Sequence, residues 1–288
     1  MTGSVTDDNR SVRVALATSE RWAQLSPDDF DLVPQLARVG IDAPPAVWSD
    51  PAVDWSRFDL VVIRSCWDYH RRIAEFLRWL GDIAVPVANP VEVIRWNSHK
   101  GYLLELESRG VVIPATRLIR KGSQPPALAD AHVIIKPAIS ASANETHRFA
   151  SAAEAMADLE RLVGAGDVIV QEFVDEVVSD GEWSLMFFDR KLSHAVKKAP
   201  KAGDFRVQQE LGGSALPANP PSRVLAAAQR ALSAVNHVLL YARVDIVDRP
   251  AGAVLMELEL IEPSLFFGTS AGSSARFAAA VRSALTSS

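Results

Sequence analysis

Between Leu255 and Pro263 the chain reads Leu-Met-Glu-Leu-Glu-Leu-Ile-Glu-Pro. Strict alternation of this kind fits a β-strand, whose period of two puts Glu257 and Glu259 on one face and Met256, Leu258 and Leu260 on the other. Asp248-Arg249-Pro250 begins a turn just upstream, and Arg243–Val247 before it is a second strand. The two strands, Arg243–Val247 and Ala253–Ile261, therefore bring Asp245 beside the glutamates. Carboxylates held side by side repel unless a cation lies between them. Three hard oxygen donors in one place suit Mg²⁺ shared with nucleotide phosphates. A strand with one face in water is the other reading of the same pattern, and Glu259 with Glu262 is the other choice of metal pair.

The rest of the chain divides into two regimes. Residues 1–10 are polar and predict a mobile tail. Residues 11–96 alternate strand and helix signals, with apolar runs at Val12–Thr18 and Asp59–Arg64. Ile73, Phe76, Leu77 and Leu80 follow the helical spacing i, i+3, i+4, i+7, and Gly81 ends that helix. Ser26-Pro27-Asp28-Asp29 opens an earlier helix that stops at Gly40. This is a small α/β domain on a parallel sheet. Six of the seven tryptophans lie between Trp22 and Trp96, enough rings to fill its small core.

From Asn97 onward hairpins and helices alternate, which predicts an α+β fold in two parts, a central one at 97–170 and a C-terminal one at 171–288. Its elements are a helix over Ser98–Arg109 and strands at His132–Lys136, Val168–Phe173, Ser184–Phe188 and Leu192–Lys197. Ser151-Ala152-Ala153-Glu154 is a capping box that starts the helix before the second strand. Pro200–Pro221 reads as a loop, Ser222–Leu240 as a long helix and Ser273–Thr286 as a last one.

Composition narrows the partners. A net charge of −5 argues against nucleic acid or an anionic membrane surface, and no run of about 18 apolar residues marks a membrane span. Cys66 is the single cysteine, which excludes an internal disulfide and a cysteine-based zinc cage and fits a reducing cytoplasm. His70, His99 and His194 are open to substrate contact, and equally to ordinary surface or hydrogen-bonded roles.

No G-x-x-x-x-G-K-[ST] and no G-x-G-x-x-G occur, so neither a P-loop nor a Rossmann site is expected. Val133-Ile134-Ile135-Lys136 instead ends an apolar strand on a lysine, whose charge needs water or an anion. Ser140-Ala141-Ser142-Ala143-Asn144 is a small, flexible stretch suited to lying over phosphates. Val168–Val174 turns polar at Gln171 and Glu172, so its end is fit to line a purine pocket with Phe173 on the ring. Gly181-Glu182 then opens the next strand.

In this order, the elements over residues 97–268 resemble the ATP-grasp superfamily, which includes D-alanine–D-alanine ligase, glutathione synthetase and biotin carboxylase. Tyr241–Pro263 is similar to the ligases' Arg-x-Asp and Glu-x-Asn strand pair, with Glu259 in place of the usual Asn and the Glu-to-Pro spacing longer by one. Gly203-Asp204-Phe205-Arg206 resembles a segment of the glutamate-adding members. The resemblance implies an ATP-dependent, ADP-forming ligase with two subdomains clasping ATP. Lys100 and Lys136 would hold phosphates under the 138–146 loop with Ser140 and Ser142. Gln171, Glu172, Phe173 and Val174 would line the adenine pocket, with Glu182 at the ribose. Arg206 would meet the γ-phosphate, Arg243 the attacked carbonyl, and Asp245, Glu257 and Glu259 the Mg²⁺. Ile63–Tyr69 and Asn89–Lys100 resemble a smaller ATP-grasp group containing the cyclo-ligase that closes D-cycloserine from an O-ureido-serine. A nucleotide-binding ATP-grasp domain without catalysis and a small-molecule phosphotransferase are the alternatives. A protein kinase is not, because no His-Arg-Asp loop or Asp-Phe-Gly follows the lysine strand.

The acceptor is expected at Arg64–Tyr69, a loop leaving the C-terminal edge of a parallel strand, where ligands of open α/β sheets bind. Arg64 would grip a carboxylate, Asp68 an ammonium, and Trp67 and Tyr69 would wall the pocket. That set suits an amino-acid-like small molecule; Asp68 as a helix cap is the competing reading. A homodimer is compatible with all of this.

Overall fold

A computed structural model describes residues 11–128, 132–141, 145–149, 151–201, 203–207 and 212–286. In chain order the elements are β1 (Val12–Thr18), α1 (Leu32–Arg38), β2 (Ile41–Asp42), β3 (Pro45–Val47), β4 (Leu60–Ile63), α2 (Ile73–Asp82), β5 (Val87–Ala88), α3 (Val91–Asn97) and α4 (Tyr102–Ser108). They continue with β6 (Thr116–Ile119), β7 (Val133–Pro137), β8 (His147–Arg148), α5 (Ala152–Ala165), β9 (Val168–Glu172) and α6 (Glu176–Ser179). The last are β10 (Glu182–Phe188), β11 (Lys191–Ala199), β12 (Ser214–Pro217), α7 (Ser222–Ser233), β13 (Tyr241–Arg249), β14 (Gly252–Glu259) and α8 (Ser273–Thr286).

β1 to β5 form a parallel sheet in the order β2-β1-β4-β5, with β3 also paired to β1. Both faces are covered, as a parallel sheet requires. Ala15, Ala17, Val61 and Ile63 pack against Phe76 and Leu80 of α2 and against Trp48. Val14, Leu16, Leu60 and Val62 share a core with Phe188, Tyr241 and Phe277, so this sheet is continuous in packing with the C-terminal part. The tryptophans do fill the N-terminal core: Trp48, Trp55 and Trp79 lie within 6 Å of one another or of Phe76, ring to ring.

The second sheet is antiparallel, β6-β9-β7-β8, backed by α5 through Ala155, Leu159, Leu162 and Val163. The N-cap half of the expected capping box is present, Ser151 Oγ accepting the Glu154 N–H. The third sheet is antiparallel, β12-β11-β10-β13-β14, and α7 packs on one of its faces. The expected fold class, an α/β domain followed by α+β, is what the chain adopts.

Four local expectations are corrected. The helix expected over Ser98–Arg109 is confined to α4, and α3 precedes it as a separate helix. The long helix from Ser222 ends at Ser233, because the apolar residues beyond it, Val235, Leu239 and Leu240, approach the sheet as non-helical chain. The loop over Pro200–Pro221 contains the edge strand β12, paired with β11 from Val196↔Pro217 to Ala199↔Ser214. A boundary at 170 would cut β9, whose pairing with β7 continues to Glu172.

Candidate active site

The polar face of the third sheet is set by parity. Trp183, Leu185, Phe187, Val244, Ile246 and Leu258 point to α7. Their neighbours Glu182, Ser184, Arg243, Asp245, Glu257 and Glu259 must point the other way. Register then brings acids and bases together across strands: Ser184 faces Asp245, Glu182 faces Lys198, Asp245 faces Glu257 and Arg243 faces Glu259. A shift of pairing between Asp245 and Ile246 keeps Asp245 opposite Glu257 while Met256 is left over. Across the gap, Lys136 and Ile134 of β7 and Gln171 of β9 occupy one face of the central sheet, opposite the face covered by α5. All of these polar-face residues except the fully buried Ser184 line one cavity between the two sheets, with Lys100, Trp67, Tyr69, Glu262 and Phe266 on its remaining walls.

Inside the cavity each basic group rests on an acid. Glu257 Oε1 accepts from Lys100 Nζ at 2.9 Å and from Lys136 Nζ at 3.2 Å. Lys198 Nζ lies 3.2 Å from Asp245 Oδ2 and is also paired with Glu182. Arg243 donates from Nη2 to Asp245 Oδ2 at 3.0 Å and from Nε to Oδ1 at 3.1 Å, and pairs with Glu259. Ser184 Oγ adds a 2.5 Å hydrogen bond to Asp245. Burial raises the Asp245 and Glu257 carboxyls, but the adjacent cations outweigh it and hold both below the ordinary range. Burial lowers Lys136, with Lys100 adding to the shift, whereas at Lys100 the burial is outweighed by the charge and hydrogen bond of Glu257 together with Glu259 and Glu262.

The acids outnumber the bases on these walls, and the excess falls on two glutamates. Burial pushes Glu259 up to about 7, with Asp245 and Glu257 adding to it and Arg243 opposing. Burial pushes Glu262 up to about 8, Glu259 adding to it. Ligand atoms of Asp245, Glu257 and Glu259 lie within 4.8 Å of one another, the one such group among the described residues. A divalent cation there would relieve the repulsion that the cluster stores, so the donor set fits Mg²⁺.

The remaining sequence-derived candidates take these places. Gln171, Glu172, Phe173 and Val174 line the far end of the cavity with Glu182. Gln171 Nε2 donates to Thr116 Oγ1 at 2.9 Å, and Glu172 pairs with Arg249 at 2.9 Å. Arg148 stands 4.0 Å above the Phe173 ring. Ser140 reaches the cavity wall, its hydroxyl bonded to the Pro137 carbonyl; Ser142 lies outside the described residues. Arg206 is on the wall too, held by Asp204 at 2.8 Å. Trp67 and Tyr69 line the cavity.

Arg64 and Asp68 do not. Arg64 is 1% exposed and bound to Asp29, with Nε and Nη2 at 3.0 and 2.9 Å from Oδ1. Its strand parity explains this: Arg64 continues the Leu60–Val62 face, which is core. Asp68 accepts from Trp48 Nε1 at 3.0 Å and makes no helix-cap hydrogen bond with its side chain. None of the three histidines lines the cavity: His99 pairs with Asp167 at 3.2 Å, His194 bonds to the Leu265 carbonyl at 2.8 Å, and the ring nitrogens of His70 are buried with no hydrogen-bond partner among the described residues.

Sequence reasoning missed Lys198 and the segment after β14. Lys198 was hidden by its neighbour Lys197: the two look like one charged strand end, yet alternation sends Lys197 to the Trp183 ring and Lys198 into the cavity. The segment 261–267 is fastened at successive residues, Ile261 by Tyr241 of β13 and the rest by the N-terminal domain. Tyr241 Oη donates to the Ile261 carbonyl at 2.7 Å, Trp67 Nε1 to that of Glu262 at 2.8 Å and Arg64 Nη2 to that of Pro263 at 2.9 Å. Asp28 accepts the backbone N–H groups of Leu265, Phe266 and Phe267 at 2.8–2.9 Å. This end of the cavity is thus built jointly by both domains.

Comparison with known proteins agrees with this architecture. Residues 14–89 match the family described as the N-terminal domain of D-cycloserine synthetase DcsG. The cycloserine biosynthesis protein DcsG of Streptomyces lavendulae is 34% identical over 283 residues, covering 88% of this chain and 94% of that protein. The crystal structure of D-cycloserine synthetase DcsG superposes with a TM-score of 0.84 at 31% identity, over 95% of this chain and 99% of that one. D-alanine–D-alanine ligase from Bacillus anthracis, solved in complex with ATP, shares the fold at a TM-score of 0.67 and 13% identity, over 96% and 98% of the two chains. Among the described residues no helix is long and apolar enough to cross a membrane. The chain belongs to the DcsG family of ATP-grasp ligases.

Proposed function

We propose that this enzyme is a Mg²⁺-dependent, ADP-forming cyclo-ligase that activates the carboxylate of an O-ureido-serine-like amino acid and closes it into a ring. The observation that supports this most is the single cavity in which Lys100, Lys136, Lys198 and Arg243 are interleaved with Asp245, Glu257 and Glu259. Phosphoryl transfer asks mainly for positioning and charge neutralisation, and this cavity is equipped for both.

The chain's own residues divide the work. Gln171–Val174 receive the adenine and Glu182 the ribose. Lys100 and Lys136 bind the phosphates in place of Glu257, whose carboxylate would then be open to the metal; Lys198 and Arg206 line the same cavity. Asp245, Glu257 and Glu259 would hold Mg²⁺, which would supply charge neutralisation on the phosphates. In the transfer, a carboxylate oxygen of the amino acid bonds to the γ-phosphorus as the bond to the ADP oxygen breaks. A nitrogen of the same molecule then attacks the acyl carbon; the C–N bond forms, phosphate departs and the nitrogen's proton passes to solvent. Arg243 neutralises charge on the acyl oxygen during that attack. Trp67, Tyr69 and Phe266 keep water from the acyl phosphate.

Incubation with ATP, Mg²⁺ and O-ureido-serine, followed by chromatography and mass spectrometry, tests the reading. ADP, phosphate and a cyclised amino acid are the expected products. AMP with pyrophosphate, or ADP formation indifferent to the amino acid, would contradict it.

A further inference from the structure

With Asp68 committed to Trp48, the acceptor loop offers no anion to an amino-acid ammonium. The opposite wall offers one. Glu262 lines the cavity and is 92% buried, at 8% exposure, yet among the described residues its carboxyl group makes no hydrogen bond to another residue and no ion pair. The basic groups that act on it from a distance, Lys100 and Arg243, are already bound to Glu257 and to Asp245 and Glu259. A buried carboxylate without a cation is costly, and such groups are retained where a ligand completes them.

Its position is fixed with unusual care. The carbonyl of Glu262 itself accepts from Trp67, and those of Ile261 and Pro263 on either side accept from Tyr241 and Arg64. The backbone therefore has little freedom to turn the side chain away. Trp67, Tyr69 and Phe266 line the same cavity, and aromatic rings favour a neighbouring organic cation. The cluster that fits a metal comprises Asp245, Glu257 and Glu259 and does not include Glu262, which leaves this carboxylate for another cation.

We infer that Glu262 is the specificity residue of the acceptor subsite and binds the α-ammonium group of the amino acid. The assignment rests on the amino-acid reading given above and adds the residue that selects for it. It makes the enzyme discriminate against acceptors that carry the same carboxylate and ureido groups but no amine.

The test is a calorimetric titration of the full chain, with a non-hydrolysable ATP analogue and Mg²⁺ present, using O-ureido-serine and its deamino counterpart. The wild type is expected to favour the amine by about 10²-fold, the scale on which a desolvated charge pair contributes. Glu262→Gln, isosteric and uncharged, should reduce that preference to about threefold or less, and Glu262→Asp should restore part of it. Affinity for the deamino compound and for the ATP analogue should be the same in all three proteins. A Glu262→Gln enzyme that keeps the wild-type preference overturns the assignment. So does one that loses Mg²⁺-dependent nucleotide binding, which would make Glu262 a metal ligand. If the wild type holds the ATP analogue but neither acceptor, the amino-acid reading itself fails, a result separable from the other two.

Discussion

Asp29→Asn probes the residue pair that most changes how the acceptor end is understood. In the native protein Asp29 and Arg64 are each 1% exposed, and the carboxylate accepts two guanidinium N–H groups plus the hydroxyls of Ser65 at 2.8 Å and Ser26 at 3.1 Å. Burial opposes the charge on Arg64, and Asp29 outweighs it. Nη1 is buried with no hydrogen-bond partner among the described residues, and the guanidinium lies 5.5–6.0 Å from the rings of Tyr241, Phe277 and Phe267. Asparagine keeps the shape and removes the charge, so Arg64⁺ is left buried and unpaired. Such a change costs about 3–5 kcal/mol. At roughly 2–4 °C per kcal/mol for a chain of this order, the melting temperature should fall by roughly 6–20 °C. Arg64→Met should cost a similar amount, and the double variant much less than the sum, because neither charge then remains. Urea unfolding followed by tryptophan fluorescence gives all four corners of the cycle. A single Asn variant that loses less than about 1 kcal/mol, with no coupling to Arg64→Met, would put Arg64 back within reach of a ligand and refute the structural role.

Other expectations are more local. Glu257→Gln and Glu259→Gln should each lower kcat by about 10²-fold or more, since each removes a charged metal ligand worth several kcal/mol in the transition state. Both proteins should remain folded, and near-normal turnover in both would dissociate the cluster from catalysis. Glu259 and Glu262, raised from 4.5 to about 7 and about 8, hold extra protons in the ligand-free protein. Their contribution to stability is therefore complete below about pH 4.5 and is lost as pH rises through 7 and 8. Thermal stability without ligands should decline over that window, and Mg²⁺·ATP binding near pH 7 should release protons, seen as a dependence of calorimetric heat on the buffer. A buffer-independent heat together with pH-independent stability would contradict the account.

Much of the site was legible because strand alternation is strict. Glu257 and Glu259 against Leu258 and Leu260 put both carboxylates on one face, and β1 and α8 occupy the expected spans Val12–Thr18 and Ser273–Thr286. What escaped depends on partners remote in sequence. Lys198 gains its meaning from register with Glu182, and β12 from a strand alongside it, since four residues ending on Pro217 carry no periodic signal of their own. Arg64 was misplaced because it follows the C-terminal edge of a parallel strand, where a ligand carboxylate was expected to meet it. Its parity with Leu60 and Val62 pointed inward, but the compensating Asp29 lies 35 residues away. Asp68 was drawn off by Trp48, another contact that no local pattern announces.

The central claim is that a substrate carboxylate oxygen attacks the γ-phosphorus of ATP. Substrate labelled with ¹⁸O in its carboxylate and turned over in unlabelled water decides it. Mass spectrometry of the released phosphate should show one ¹⁸O per phosphate, carried over through the acyl phosphate. Phosphate free of label, alongside a cyclised product, would contradict the account.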